Sequence, residues 1–161
     1  QQCAMTRAMP AIGVSYGLPR RGLPSAASFR RWVALALGAR HAPAELSIRV
    51  VAAPEGRRLN REYRGKDYAT NVLTFPVELP AGVSLPLLGD IVLCAPVIAR
   101  EARAQGKARS DHYAHLTVHG VLHLLGHQHE RPAQARRMER IETQLLETIG
   151  IPDPYAGALR P

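Results

Sequence analysis

The chain has 161 residues, 46% of them hydrophobic and 21% charged, with 21 Lys and Arg against 13 Asp and Glu. A chain of this length buries roughly 70% of the surface of its unfolded form, so a single core suffices for folding and neither a disulfide framework nor a structural metal is required. The longest charge-poor apolar run, Trp32 to Ala39, is far shorter than the roughly 20 residues of a membrane span, which excludes a spanning helix there.

Formal charge is +8, and only Lys66 and Lys107 interrupt an otherwise all-arginine set of cations. Arginine grips phosphate through a planar fork, so the balance favours a polyanionic partner, nucleic acid before membrane. A compositional preference for Arg over Lys would give the same number, and charge alone does not decide. Cys3 and Cys94 are the only cysteines; no disulfide pattern is readable, and a reducing cytoplasm fits.

Residues 1–10 begin with Gln and lack the apolar centre of a signal peptide, so they read as a disordered tail or a leftover of cloning. A single catalytic domain is expected over 11–155, with 156–161 as a C-terminal tail. Ala11 to Leu18 reads as a first strand, followed by a turn through Gly22 and Pro24. Phe29, Trp32, Val33, Ala36 and Leu37 then recur at helical spacing, with Ser25 or Ser28 as N-cap and Gly38 as the stop. Leu46 to Ala53 alternates as a half-buried strand. Arg57 to Arg64 predicts a short helix closed by Gly65, Val72 to Val77 a third strand, 79–87 a loop, and Leu88 to Cys94 a fourth strand. Pro96 suits the first turn of a helix to Gln105. Ser110 and Asp111 are placed to cap a longer helix ending at Leu125 before Gly126. The last helix, about Ala133 to Ile149, is expected to bury Met138, Ile141, Leu145 and Ile149 on one stripe. The whole reads as an α+β fold, one layered domain with a small mixed sheet of about four strands against four to five helices.

Six of the seven histidines fall between His112 and His129 in the run HYAHLTVHGVLHLLGHQH. His119 and His123 are four apart on the predicted helix and project from one face, at a separation one metal ion can bridge. Gly126 lets the chain turn back and deliver His129 as a third ligand. Three neutral imidazoles leave an ion its double charge and an open position, the pattern of a catalytic zinc site; nickel, copper or iron suit the same ligands less specifically. His112 and His115 share the stripe of His119 and read either as supporting partners of the ligands or as half-buried histidines. His127, beside the turn, reads as a second supporting partner, as a substrate contact or proton shuttle, or as a solvent-facing residue. Zinc peptidases of the HExxH type place their general base directly after the first histidine, and here that position is Gly120.

At these residues the chain resembles the bacterial YbeY family, endoribonucleases that act as ribosomal RNA maturation factors. HGVLHLLGHQH is similar to the family signature, LNREYRGKDYATNVLTFP to a second block, LGDIVLC to the strand before the metal helix, and GIPDPY to the segment after the last helix. The likeness spans roughly residues 22–155. It implies one zinc ion on His119, His123 and His129, catalytic roles for Arg64 and His119, and substrate binding by Arg64 with Lys66 and Arg61. It also implies the small ribosomal subunit and its RNA as partners, with ribosomal proteins or assembly GTPases beside them and no membrane. The activity implied is zinc-dependent cleavage of single-stranded RNA in small-subunit 3′-end maturation and ribosome quality control. Ala69 stands where the family commonly has proline, and Gln128 where it commonly has aspartate; the second removes a carboxylate near the ligands.

The attacking group in such a reaction is either a metal-bound water or the RNA 2′-hydroxyl. A metal acts as Lewis acid on a phosphoryl oxygen, and Arg64 is the natural second clamp. Arg57, Arg58, Arg61, Arg64 and Lys66 form a basic segment that Arg100, Arg103 and Lys107 could extend. Aromatic residues total only eight, few for platforms on which unpaired bases could stack; Tyr63, Tyr68 and Phe75 lie near the basic segment, and Phe75 reads as core. Thr70 and Asn71 are expected to hold the loop rather than touch substrate. Two other functions fit parts of the pattern: a metallopeptidase-like hydrolase lacking the HExxH glutamate, and a non-enzymatic ribosome-binding assembly factor whose metal locks the fold.

Overall fold

The computed structural model describes residues 11–38, 44–83, 85–127 and 130–156. The expected tails at 1–10 and 157–161, and Cys3, lie outside them. The described chain folds as β1 (Ala11–Tyr16), α1 (Ala26–Leu37), β2 (Glu45–Val51), α2 (Ala53–Arg64), β3 (Val72–Pro76), β4 (Leu87–Cys94), α3 (Ala95–Gln105), α4 (Arg109–Leu124) and α5 (Pro132–Glu147). The α+β class, mixed sheet and helix count are those the sequence predicts. Among the described residues no helix is long and apolar enough to cross a membrane.

The sheet runs β1-β2-β4-β3. β1, β2 and β4 are parallel, and β3 pairs antiparallel with β4. Parallel neighbours need a crossover, and α1 provides it between β1 and β2. Alternation along the strands sorts the two faces. Leu46, Ile48 and Val50 of β2 with Ile91 and Leu93 of β4 join the main core beneath α1, α4 and α5. Val51, Leu73, Val92 and Cys94 form a smaller cluster with Val97 on the other side, where Leu59 of α2 packs. Phe29, Trp32 and Tyr113 stack edge to face in the main core, with ring centroids 5.5 and 6.2 Å apart.

Of the two serines that the sequence offers as N-cap, Ser25 caps α1, its hydroxyl accepting from the Ser28 amide. Several boundaries differ from expectation. β2 ends at Val51 and α2 starts at Ala53, because Pro54 is well placed in a first helical turn. Ala108 is the N-cap of α4, so Ser110 and Asp111 sit inside its first turn, where Asp111 still complements the helix dipole. α5 ends at Glu147, leaving Ile149 exposed, and its deepest stripe is Met138, Glu142 and Leu146 rather than the all-apolar set.

α4 is buried on nearly every side, so its approach to the sheet depends on small residues. A methyl group at Gly120 would stand 3.1 Å from Cδ1 and 3.2 Å from Cγ2 of Ile91, so glycine lets the histidine helix lie close on β4. At Gly89 an added Cβ would stand 2.2 Å from the Phe75 carbonyl oxygen, at a φ of +143°. Neither the backbone oxygen nor that φ yields to a side chain. Gly89→Ala is therefore expected to cost about 3 kcal/mol of unfolding free energy, read as a lower urea midpoint; an unchanged midpoint would contradict this close approach of β3 and β4.

Candidate metal centre and cleft

The site is built on α4, α5 and the loop after α2. His112, His115, His119 and His123 follow one another along α4, with ring centroids 6.1, 6.2 and 4.7 Å apart from each to the next. The helix stops as a Schellman turn. His127 N–H donates to the Leu122 carbonyl and Gly126 N–H to that of His123, both at 3.0 Å, with Gly126 at φ +96°. This is the break that the sequence predicts, and it uses the His127 backbone. His129 and Gln128 lie outside the described residues.

Glu142 of α5, fully buried, faces this row. One of its oxygens is hydrogen-bonded to His119 Nδ1. The other accepts the Tyr155 hydroxyl and stands 3.3 Å from His115 Nε2, which is also 3.1 Å from the Tyr155 oxygen. Burial pushes the Glu142 carboxyl up, but the hydrogen bonds from His115 and His119, with their charge, outweigh it and hold the group at about 2. Burial beside that carboxylate drives the Tyr155 phenol well above its ordinary range, so the hydroxyl stays a donor. With Nδ1 facing a carboxylate, the proton of His119 belongs on Nδ1 and the lone pair on Nε2, the tautomer of a metal-binding imidazole oriented from behind.

His115, His119 and Glu142 bring one donor atom each within 4.8 Å of one another, a group that could hold a metal ion. That set differs from the predicted one: it shares His119, adds a carboxylate from another helix, and omits His123. Glu142 and Tyr155 were not singled out from sequence. The signal for Glu142 was a carboxylate four residues from both Met138 and Leu146, on the stripe that turned out to be deepest. For Tyr155 no periodicity was available.

A cleft of about 550 Å³ opens in front of the row and brings Arg64, His119 and His123 into one lining, with Tyr63, Asn71, Phe75 and Glu130. Arg64 is the last residue of α2, and Gly65 turns the chain away at φ +69°. Among the described residues Arg64 has no ion-pair partner. Its neighbours differ: Arg57 makes two hydrogen bonds to Asp67, at 2.8 and 2.9 Å, and Arg61 lies 3.9 Å from the same carboxylate. Arg61 and Lys66 are exposed outside the cleft lining. Lys107 donates to the Pro154 carbonyl at 2.7 Å and so does not extend a basic track along α3.

Of the two residues expected to hold the loop, Asn71 does so, while Thr70 lines the cleft beside it. Asn71 accepts from the Val72 amide at 2.7 Å and donates to Glu101 at 2.9 Å. The same Glu101 oxygen is 2.9 Å from His112 Nε2, which links the loop to α3 and α4. Asn60 donates to the Tyr68 carbonyl at 2.7 Å, closing the base of the loop. Ala69 packs against the smaller cluster.

A family described as Endoribonuclease YbeY matches residues 25–150. Endoribonuclease YbeY of Stenotrophomonas maltophilia (strain K279a) is 64% identical over 150 residues, covering 91% of this chain and 93% of that protein. Its counterpart from Xanthomonas campestris pv. campestris (strain B100) is 62% identical over the same shares. The solution structure of TM1509 from Thermotoga maritima, 23% identical, superposes with a TM-score of 0.62 over 86% of this chain and 88% of that one, a likeness of fold.

The buried carboxylate also sets an acid limit. Its folded value of about 2 lies below its ordinary 4.5, so between the two the unfolded chain binds more protons. The stability it lends is complete above 4.5 and drains away as pH falls toward 2. Glu142→Gln is expected to flatten that limb, removing on the order of 3 kcal/mol of the pH dependence, as measured by urea unfolding of metal-free protein from pH 6 to pH 2. An identical slope in the variant would count against the paired, ionised carboxylate.

Proposed function

The chain belongs to the YbeY endoribonuclease family, and on that footing we propose that it cleaves single-stranded RNA with zinc, in maturation of the 3′ end of small-subunit ribosomal RNA and in ribosome quality control. It is a nuclease, a hydrolase acting on RNA phosphodiester bonds. The observation that carries the reading is the meeting of Arg64, His119 and His123 in one cleft.

In this reading His119, His123 and His129 hold the ion, and His119 presents Nε2 because Glu142 keeps the proton on Nδ1. His115 and Tyr155 satisfy the second oxygen of that carboxylate, and His127 supports the turn. The donor chemistry fits zinc, since imidazole nitrogens backed by a carboxylate suit a borderline ion. When bound, zinc supplies Lewis acidity at the phosphate. Arg64, which has no ion-pair partner among the described residues, binds a non-bridging phosphate oxygen, and charge-assisted bonds of this kind are the strong ones. Arg61 and Lys66 attract the approaching backbone from outside the cleft. The molecule works in the cytoplasm on the small ribosomal subunit, beside ribosomal proteins or assembly GTPases.

Position 120 argues against the peptidase reading. It is a buried glycine that supplies no carboxylate, and a Cβ there would already stand 3.1 Å from Ile91. The 4.8 Å grouping of His115, His119 and Glu142 favours a second arrangement, in which those three hold the ion directly.

Both are tested on purified protein given single-stranded RNA, duplex RNA and casein, with and without chelator. Cleavage of the single strand alone, abolished by chelator and reduced at least 100-fold in Arg64→Glu with the fold intact, is the expected result; about 3 kcal/mol of transition-state stabilisation corresponds to that factor. Undiminished cleavage by metal-free His123→Ala would refute the zinc mechanism. Zinc content separates the two ligand sets: loss in His123→Ala with retention in His115→Ala supports the histidine triad, and the reverse supports the buried group.

A further inference from the structure

The chain has eight aromatic residues of the Phe, Trp and Tyr types, and all are described. Phe29, Trp32 and Tyr113 are in the core; Tyr16 donates to the Pro24 carbonyl, Tyr155 to Glu142, and Phe75 is half-buried on β3. Only Tyr63 and Tyr68 are exposed, at 66% and 55%. Both flank Arg64 in sequence, and Tyr63 lines its cleft. Exposing an aromatic ring leaves unburied the very surface that otherwise stabilises a core, so the placement calls for a partner.

Tyr63 also lines a second cleft, of about 480 Å³, on the open side of the sheet. The two clefts share one wall, the edge-to-face pair of Tyr63 and Phe75 with ring centroids 5.1 Å apart. Such a contact uses at most one face of the Tyr63 ring. Of the charges lining the second cleft, those of Arg49 and Glu55 offset each other while Asp90 keeps its own, which disfavours a phosphate there. Arg49 is bound in a fork to Glu55 at 2.6 and 2.9 Å, and Ser47 is hydrogen-bonded to Asp90. The first cleft therefore suits an anionic phosphate, and the second a neutral, flat group with polar edges.

We propose that Tyr63 is a stacking platform for a nucleobase of single-stranded RNA, seating in the second cleft the base of a nucleotide next to the phosphate held at Arg64. This rests on the endoribonuclease reading above and adds to it a base subsite. It also gives a physical ground for single-strand preference. A base within a duplex is stacked on its neighbours and unavailable to the ring, whereas an unpaired base turns its face to the protein at little cost.

The test measures the affinity of metal-loaded wild type, Tyr63→Ala and Tyr63→Phe for a short single-stranded RNA, together with a series carrying one abasic site moved along the strand. Tyr63 is exposed, so both variants should keep the circular dichroism and urea midpoint of wild type. Tyr63→Ala is expected to bind the intact strand ~5- to 150-fold more weakly, the range for loss of one aromatic–base stack, and Tyr63→Phe to bind as wild type does. One abasic position should weaken wild type by a similar factor and leave Tyr63→Ala unaffected. Equal binding by wild type and Tyr63→Ala would overturn the platform, as would a loss in Tyr63→Ala that persists at every abasic position. Failure of folded wild type either to bind or to cleave the RNA would instead overturn the endoribonuclease reading itself, and the subsite with it.

Discussion

The carboxylate of Glu142 is the constraint around which the site is organised. An ionised group with no solvent exposure is tolerated only when its oxygens are fully engaged, and the donors come from three separate parts of the chain: His115 and His119 on α4, and Tyr155 after α5. Meeting that demand fixes the rotation of α4 against α5 and the path of the chain after α5. The same demand assigns the His119 proton. A local electrostatic necessity and the orientation of the His119 imidazole are thus one arrangement, and the removal of any donor would leave a buried charge incompletely paired.

A second, more mechanical condition concerns distance. α4 carries its histidine row because its opposite side is packed into the main core, and Gly120 lets that side come close to Ile91. β3, bound to β4 near Gly89, supplies Phe75 to the far wall of the cleft. Arg64 arrives at the end of α2, and its loop is fastened through Asn71, Glu101 and His112. The cleft is therefore set between elements that are each anchored elsewhere, which is the condition for holding reacting groups in register.

Much of this was legible in the residue pattern, because period and punctuation are local signals. Alternation in β2 and β4, the apolar spacing of α1, and the glycines at 38, 65 and 126 place the elements within a few residues. The His119 and His123 pair is legible for the same reason, being an i, i+4 relation within one helix. What was not legible depends on contacts between distant segments. Glu142 lies 23 residues from His119, and a carboxylate in a last helix reads as a solvated residue until α4 is seen to cover it. The basic segment 57–66 reads as a single patch in sequence, yet Asp67 folds back to bind Arg57, leaving Arg64 as the cation that faces the histidines. The cap of α4 and the start of α2 were displaced by a few residues because Pro54 and Asp111 suit more than one position in a first turn.

The order in which these contacts become available along the chain has a consequence of its own. β4 (Leu87–Cys94) is central in space yet last in chain order among the described strands, so the parallel pair β2 and β4 cannot form until the chain has been made as far as Cys94. The last of the partners that hold the buried carboxylate, Tyr155, comes later still. During synthesis, which proceeds from the N-terminus, the histidines of α4 emerge before Glu142, and Glu142 before Tyr155. The row can therefore acquire its fixed arrangement only as Tyr155 docks on Glu142, after both α4 and α5 have been made.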